Sequence, residues 1–307
     1  MGKIKLLLNT GTCFSATSPF HYTVSWDHKC VYTGHTKEHM YLFNMMMGED
    51  NIRMDGKRPR PDVAKKRKKP DLLTHLSPYV LGKWTQEEEN RFFQDSLSIE
   101  NYIWYYKKHW ENCKHDYEWV GDFSNQNALL SIPFMQTIRD QLLEHFDIKV
   151  TMQFRDPIRR LFSVANKCVK NNEYPNMTPI EVMYQWLSGR FEPNAYYSSI
   201  YRRHALIWGV ENVRAIVMEE LWNPDTQKQE LEYLSDFLGY NFTKVHENVY
   251  YPDMGSNPPK YEYLSDQYNS DKVDITDDQY KTCARLMKSV YAEFEKTFGY
   301  VPDEWNK

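Results

Sequence analysis

Apolar runs of strand length alternate along the chain with longer stretches of helical periodicity. Three runs predict buried strands, KIKLLLN at 3–9, IKVTMQF at 148–154 and RAIVM at 214–218, and YEWVGDF at 117–123 predicts a shorter one. Spacings of three and four residues between apolar positions predict helices over 85–110, 132–146, 156–171, 178–187, 194–208, 224–240 and 275–300. Strands that alternate with helices predict an α/β fold with a central parallel sheet flanked by helices.

Three other stretches complete this outline. ATSPFHYTVSWDH predicts a helix capped by Ser18 with Pro19 at its first position, and the apolar MYLFNMMM at 40–47 should pack inside. The stretch 241–272 shows no periodicity and is expected to be a loop. We find no internal repeat, and we expect residues 1–307 to form a single domain.

A basic, proline-rich run, KRPRPDVAKKRKK, lies within residues 52–72. It cannot bury itself, so a solvated surface insertion within the domain is the favoured interpretation. Three others stay open: a nuclear localisation signal, a nucleic-acid patch (although interleaved aromatic residues are missing), and an arm that gathers a polyanionic acceptor.

Composition narrows the function classes. The net charge of −4 argues against a globally basic nucleic-acid binder, and we do not expect a nucleic-acid partner. The five cysteines are scattered, odd in number and without Cys-x-x-Cys spacing, which argues against a disulfide framework or a zinc site. The apolar stretch near the N-terminus is too short for a signal peptide or a membrane anchor. We expect a soluble, cytoplasmic protein without a membrane partner.

The first strand is followed by a loop of small residues, TGTCFSATS, at 10–18. Gly11 allows a tight turn, and the start of a helix offers free N–H groups to an anion. The ATPase pattern GxxxxGK[ST] is absent, since the loop contains no lysine. On this stretch alone, an ordinary capped strand–helix turn is the favoured interpretation.

The second strong strand leads into FRDPIRRLFS at 154–163. Arg155 follows the strand, Asp156 can cap a helix whose first residue is Pro157, and Ser163 lies two helical turns further on. A guanidinium is a fork of donors suited to a phosphate. The alternative is a helix start with surface arginines.

Five segments, in the same order, resemble the PAPS-dependent sulfotransferases, which transfer a sulfuryl group from 3′-phosphoadenylyl sulfate (PAPS) to an acceptor. These segments are GTCFSATS (11–18), GHTKEHMYLF (34–43), VGDFSNQNALL (120–130), RDPIRRLFS (155–163) and ENVRAIVMEELWNPDTQKQELEYLSDFLG (211–239). The resemblance is nearest to the carbohydrate-type and bacterial branch. It implies a P-loop NTPase-like fold, PAPS as the donor with PAP as its product, no metal, and a hydroxyl or amine acceptor such as a small molecule or a carbohydrate.

The same resemblance assigns site residues. The phosphosulfate loop would comprise Thr12, Cys13, Phe14, Ser15, Ala16, Thr17 and Ser18. Arg155 and Ser163 would bind the 3′-phosphate, and Lys260 is similar to a late basic residue that closes over the nucleotide. Glu38 corresponds to the carboxylate base, for which the alternative is a surface glutamate paired with Lys37.

The loop departs from the family at two positions. Phe14 stands where the family has Lys or Arg, and Ala16 stands where it has Gly. A basic residue there stabilises charge on the leaving phosphate. Two interpretations of its loss stay open. Another cation, such as Lys37 or one of His21, His35 and His39, replaces the missing basic residue, or the protein is catalytically impaired.

Two functions other than sulfuryl transfer stay open. A PAP- or PAPS-binding protein without turnover is the first alternative, and a P-loop-type kinase ranks lower because GK[ST] is missing. The segments NYIWYYKKHW at 101–110 and NAYYSSIYRRH at 194–204 either line an acceptor cleft or belong to the core.

Overall fold

The structure is a computed structural model. Its central feature is one parallel sheet. The structure describes residues 2–12, 15, 17–34, 40–47, 85, 87, 91, 97–189, 196–246, 250–253, 260–263 and 275–306, with 250–253 and 260–263 described by their backbone. The predicted insertion at 52–72 lies outside this part of the chain.

Five strands form the sheet, in the order β2-β3-β1-β4-β5 with every neighbouring pair parallel. They are β1 (Ile4–Asn9), β2 (Val31–Tyr32), β3 (Trp119–Asp122), β4 (Phe146–Phe154) and β5 (Val213–Val217). Asn9 pairs with Thr151, so the loops that follow β1 and β4 leave the same edge of the sheet side by side. This edge is where open α/β sheets place their ligands.

Helices connect these strands and cover both faces of the sheet. They are α1 (Thr17–Tyr22), which continues as a π-helical segment (Thr23–Asp27), α2 (Tyr41–Met47), α3 (Ile99–Cys113), α4 (Ile132–His145), α5 (Pro157–Lys170), α6 (Pro179–Gly189), α7 (Tyr197–Trp208), α8 (Met218–Trp222), α9 (Gln227–Leu238), α10 (Asp277–Leu286) and α11 (Lys288–Phe298). Short 3₁₀ turns occupy Asn125–Leu129, Val210–Asn212 and Asp303–Asn306. A separate antiparallel pair consists of β6 (Tyr250–Asp253) and β7 (Lys260–Tyr263).

Alternate residues of the strands enter two different cores. Leu6 and Leu8 of β1 pack with buried residues of α3, α4 and α7, whereas Leu7 packs on the opposite face with α1 and α9. Strands buried on both faces explain why their sequences read as nearly continuous apolar runs. A third cluster joins α5, α6 and α10.

The predicted elements are largely confirmed, with five corrections. The predicted helix over 85–110 is interrupted at Leu97 and Ser98, and α3 begins at Ile99 with Ser98 as its extended N-cap. The stretch 241–272 is not loop throughout, because it contains β6 and β7. The predicted helix over 275–300 is two helices that meet at Met287. Ser18 lies inside α1 rather than capping it, since the helix begins at Thr17. The apolar stretch 40–47 forms α2, of which only Tyr41 and Leu42 are buried.

Candidate functional site

The loop after β1 is held tightly against β4. The Thr10 backbone N–H donates to the Thr151 carbonyl at 2.9 Å, and the Gly11 N–H donates to Asn9 Oδ1 at 3.3 Å. Thr12 Oγ1 donates to the Gln153 carbonyl at 3.3 Å and lies 2.5 Å from Ser15 Oγ. Two hydroxyls of the predicted phosphosulfate loop, on Thr12 and Ser15, therefore hydrogen-bond to each other.

Gly11 is required here by close packing rather than by its backbone angle. A Cβ at this position would lie 2.3 Å from Gln153 Oε1 and 2.4 Å from Thr17 Cγ2. The first residue of α1 and the Gln153 amide thus contact the loop on the side where a larger residue would project. The sequence predicted a turn at Gly11, and the structure adds this steric reason.

Arg155 and Ser163 come together at the carboxyl end of β4. Arg155 Nη1 donates to Ser163 Oγ at 3.3 Å, and the Ser163 hydroxyl donates to the Arg159 carbonyl at 2.9 Å. The Tyr197 hydroxyl donates to the Arg155 carbonyl at 2.6 Å and so holds the backbone from the α7 side. The pair is half-buried at the edge shared with the loop after β1.

Asp156 caps α5, as predicted, and also joins distant parts of the chain. Its side chain accepts from the Ile158 backbone N–H at 2.9 Å, from the Tyr280 hydroxyl at 2.7 Å and from the Tyr291 hydroxyl at 3.0 Å. Its backbone N–H donates to Glu219 Oε1 at 2.9 Å. Burial raises the pKa of Asp156 to about 6 in spite of these bonds. The network fixes the turn in which Arg155 lies.

The segment 35–39, with Lys37 and Glu38, lies outside the described residues, but both of its flanks are described. Gly34 follows β2 with φ +71, and a Cβ there would lie 2.3 Å from the Tyr105 hydroxyl oxygen. Met40 has φ 52, and its backbone N–H donates to Ser124 Oγ at 2.8 Å, just beyond β3. The two ends of this segment therefore lie at the carboxyl edge of the sheet, with Gly34 packed against Tyr105 and Met40 hydrogen-bonded to Ser124.

Asp122, the last residue of β3, organises this flank. The Tyr102 hydroxyl donates to Oδ2 at 2.9 Å, Asn127 Nδ2 to the same oxygen at 3.2 Å, and the Ser124 N–H to Oδ1 at 3.0 Å. The Ser124 hydroxyl donates to Oδ1 as well and at the same time accepts from Met40. Burial raises the pKa of Asp122. Its full exclusion from solvent indicates a positioning role for the carboxyl group.

The aromatic segments serve mainly as core. Tyr102, Tyr105 and Tyr106 of α3 are fully buried, and Tyr197 of α7 is stacked on Phe154 at a centroid distance of 4.5 Å. A cavity of about 490 Å³ lies against β5 instead, lined by residues that include Tyr201, Arg214, Glu220, Glu230 and Tyr233. None of the donor-site residues that the structure describes lines this cavity.

Two buried or half-buried groups have strongly shifted acidities. Burial lowers the pKa of His204 to about 3, so this histidine is neutral, and its Nε2 lies 3.2 Å from the Asn127 carbonyl oxygen. Burial raises the pKa of Glu220 to about 7, although the Tyr300 hydroxyl donates to it at 2.8 Å. His204 joins α7 to the 3₁₀ turn that follows β3.

Of the predicted site residues, the structure brings together Thr12, Ser15, Thr17, Arg155 and Ser163 at one edge. Ser18 is described within α1, and Lys260 opens β7. The remaining predicted residues lie outside the described part of the chain: Cys13, Phe14, Ala16, Lys37 and Glu38.

Sequence reasoning missed Gln153, Tyr280 and Tyr291, which surround these residues, and included Tyr197 only within the aromatic segment at 194–204. Of these residues, only Gln153 could have been noticed in the sequence, because a polar side chain is unusual near the end of a buried, mostly apolar strand. The tyrosines contact the site from positions far along the chain, and no local pattern marks them.

The described helices include none long and apolar enough to cross a membrane. In the same part of the chain, no group of three or more His, Cys, Asp or Glu side chains is arranged to hold a metal ion.

This geometry defines a P-loop-like α/β protein, with a small-residue loop after β1 and an arginine after the neighbouring strand. Solved structures share its fold, and two of them align over nearly the whole chain. A sulfotransferase from Alicyclobacillus acidocaldarius aligns over 100% of both chains with a TM-score of 0.54 and 14% identity. The sulfotransferase domain of the olefin synthase from Synechococcus PCC 7002 covers 98% of this chain and 97% of its own, with a TM-score of 0.51 and 15% identity. The chain thus has the sulfotransferase fold, as the sequence predicted.

No protein-family model and no curated protein matches the sequence. At these identities the likeness establishes the fold.

Proposed function

We propose that this protein is a sulfotransferase that uses PAPS as its donor and transfers the sulfuryl group to a hydroxyl or amine acceptor, with carbohydrates among the candidates. The observation that carries the proposal is the contact of 3.3 Å between Arg155 Nη1 and Ser163 Oγ beside the loop after β1. This edge of the sheet can bind two anionic groups at once, one in the loop and one at the guanidinium. A nucleotide with phosphates at both its 5′ and 3′ positions has this arrangement of charge.

The residues present fit such a nucleotide. Gly11 lets the loop pack closely on Gln153 and Thr17, and Thr17 and Ser18 carry hydroxyls at its junction with α1. Arg155 supplies a charged fork of donors for the 3′-phosphate, and the Tyr197 and Asp156 contacts hold the turn that presents it. PAPS, when bound, supplies the sulfuryl group and a good leaving group. The chain itself contributes position and charge.

In the proposed transfer, a bond forms between the acceptor oxygen or nitrogen and sulfur, and the bond from sulfur to the 5′-phosphate oxygen breaks. Glu38 accepts the acceptor's proton, and Lys37 stabilises charge on the departing phosphate. The positions of Gly34 and Met40 at the carboxyl edge support these roles, because only five residues separate the two. We propose no metal in this transfer, because the guanidinium, the loop N–H groups and Lys37 would neutralise the charge.

Thermal unfolding in the presence of PAP tests the donor site. A ligand that binds only the folded state at about 100 times its Kd adds about 2.7 kcal/mol of stability. We expect a clear rise in Tm with PAP, a small rise with 5′-ADP, and loss of the difference in Arg155→Ala. Arg139→Ala removes an exposed arginine of α4 and serves as the matched control. An equal response to PAP and 5′-ADP would contradict a 3′-phosphate site.

Phe14, at the loop position where the family carries a cation, favours one second candidate, a protein that binds PAP or PAPS without turnover. Transfer of radiolabelled sulfuryl from PAPS to a panel of sugar and small-alcohol acceptors separates the two. Saturable PAP binding with no transfer to any acceptor would support the binding protein.

A further inference from the structure

The side-chain amide of Gln153 lies beside the loop after β1 and makes no hydrogen bond among the described residues. The Gln153 side chain is fully buried, and neither Nε2 nor Oε1 has a partner in this part of the chain. Burying an amide without partners costs free energy comparable to several lost hydrogen bonds. A buried amide of this kind calls for an explanation, and a bound ligand that accepts from it is one.

The position of the amide indicates where that partner lies. Gln153 Oε1 is 2.3 Å from the point that a Cβ on Gly11 would occupy, and Thr17 Cγ2 is 2.4 Å from the same point. The amide therefore lies under the turn at which the loop enters α1. Because neither amide atom is engaged, rotation about the terminal torsion can present the nitrogen to this turn.

Three other side-chain donors around the loop are already engaged within the protein. The Thr12 and Ser15 hydroxyls bond to each other, and Asn9 Nδ2 donates to Thr151 Oγ1 at 3.0 Å. The loop sequence contains no lysine or arginine. An anion in the loop therefore has in Gln153 a preformed neutral donor on its strand side.

We propose that Gln153, fully buried beneath Gly11 and Thr17, binds the donor nucleotide by donating a hydrogen bond from its amide nitrogen to an oxygen of the 5′-phosphate in the loop after β1. This role rests on the proposed function. It gives a loop without a cation a donor that comes from the neighbouring strand rather than from the loop itself. The bond goes to the phosphate that remains with the nucleotide, so it forms with PAP as well as with PAPS.

Nucleotides that carry only one of the two phosphates test this assignment. We expect Gln153→Leu to weaken PAP and adenosine 5′-monophosphate binding by roughly tenfold to a hundredfold, as for a hydrogen bond to a charged group. Adenosine 3′-monophosphate should bind as to the wild type. Arg155→Ala should show the converse pattern. Titration calorimetry or displacement of a fluorescent nucleotide measures each Kd.

Two further variants separate ligand contact from structure. Gln153→Met keeps the approximate length and removes the donor, so it should lose 5′-phosphate affinity as well. Met152→Leu alters the same strand on its opposite face and should leave every affinity unchanged. Without ligand, Gln153→Leu should unfold at a higher temperature than the wild type, because it removes the unpartnered amide.

Each contrary result has a distinct meaning. Equal loss of both monophosphates, or a fall in the ligand-free Tm of Gln153→Leu, would show that Gln153 only supports the loop and would overturn its role as a ligand contact. Unchanged PAP affinity would overturn it too. If the wild type binds no PAP, the proposed function fails and this role of Gln153 fails with it.

Discussion

Asp156 carries a buried charge whose cost can be measured as a pH dependence of stability. Burial raises its pKa from an ordinary value of 3.8 to about 6 in the folded protein. The folded state therefore holds the proton more tightly than the unfolded state does. The stability that this group contributes is complete below pH 3.8 and is lost as the pH rises through 6. The gap between the two values corresponds to a loss of about 3 kcal/mol at neutral pH.

Asp156→Asn tests this reasoning because it removes the charge and keeps an oxygen that can accept from the Ile158 N–H. Urea unfolding gives the free energy of unfolding of both proteins at pH 4.5 and pH 7.5. Between these values the variant should gain about 2 kcal/mol relative to the wild type, whatever constant difference separates them at low pH. Asp140→Asn, which neutralises an exposed carboxylate of α4, should show no such gain.

A difference between Asp156→Asn and the wild type that stays constant from pH 4.5 to pH 7.5 would refute the argument. It would mean that the donors from Ile158, Tyr280 and Tyr291 hold the carboxylate ionised without cost. The same experiment bears on the site, because Asp156 directly follows Arg155. If the carboxyl network orients the guanidinium, the PAP-induced rise in Tm should be smaller in Asp156→Asn than in Asp140→Asn.

Two further predictions concern the loop and the proposed base. Gly11→Ala should lower the free energy of unfolding by about 1–3 kcal/mol and reduce the Tm response to PAP, because the new methyl group meets Gln153 and Thr17. Gly189→Ala is the control, because a Cβ there has nothing within 4 Å. A normal PAP response in Gly11→Ala would contradict the steric explanation. Glu38→Gln should lower kcat by about 10²–10⁴ with PAP affinity unchanged, as expected for loss of a general base; an unaffected transfer rate from PAPS would exclude Glu38 from this role.

The sequence predicted the elements that depend on local signals. Four strands of the sheet are marked by apolar runs, and α5 by its Asp156 cap and Pro157. β2 consists of two residues, too few for any periodic pattern. β6 and β7 pair with each other across a short separation, and neither contains the apolar run that marks the sheet strands. The break at Met287 lies within a continuous helical pattern, and packing rather than propensity determines it.

The candidate site was predictable only where its residues follow strands. Arg155 and the loop 10–18 could be placed together because parallel strands share a carboxyl edge. Tyr197, Tyr280 and Tyr291 reach the same turn from 42, 124 and 135 positions further along the chain, through their hydrogen bonds to residues 155 and 156. These contacts are set by how α7, α10 and α11 pack, and single-sequence patterns do not contain that information.

The order of the strands explains why the nucleotide and the acceptor are proposed to bind on opposite sides of the loop after β1. β1 lies between β3 and β4, so its loop has Ser124 and Met40 on one side and Arg155 on the other. Sulfuryl transfer resembles phosphoryl transfer, in which the attacking and leaving groups lie on opposite sides of the transferred centre. In the proposed function, the β4 side binds the nucleotide that departs, and the β3 side anchors the segment with Glu38, which receives the acceptor's proton. An acceptor that entered from the β4 side would collide with the nucleotide, so we expect substitutions that change acceptor preference to cluster around α2 and the turn after β3.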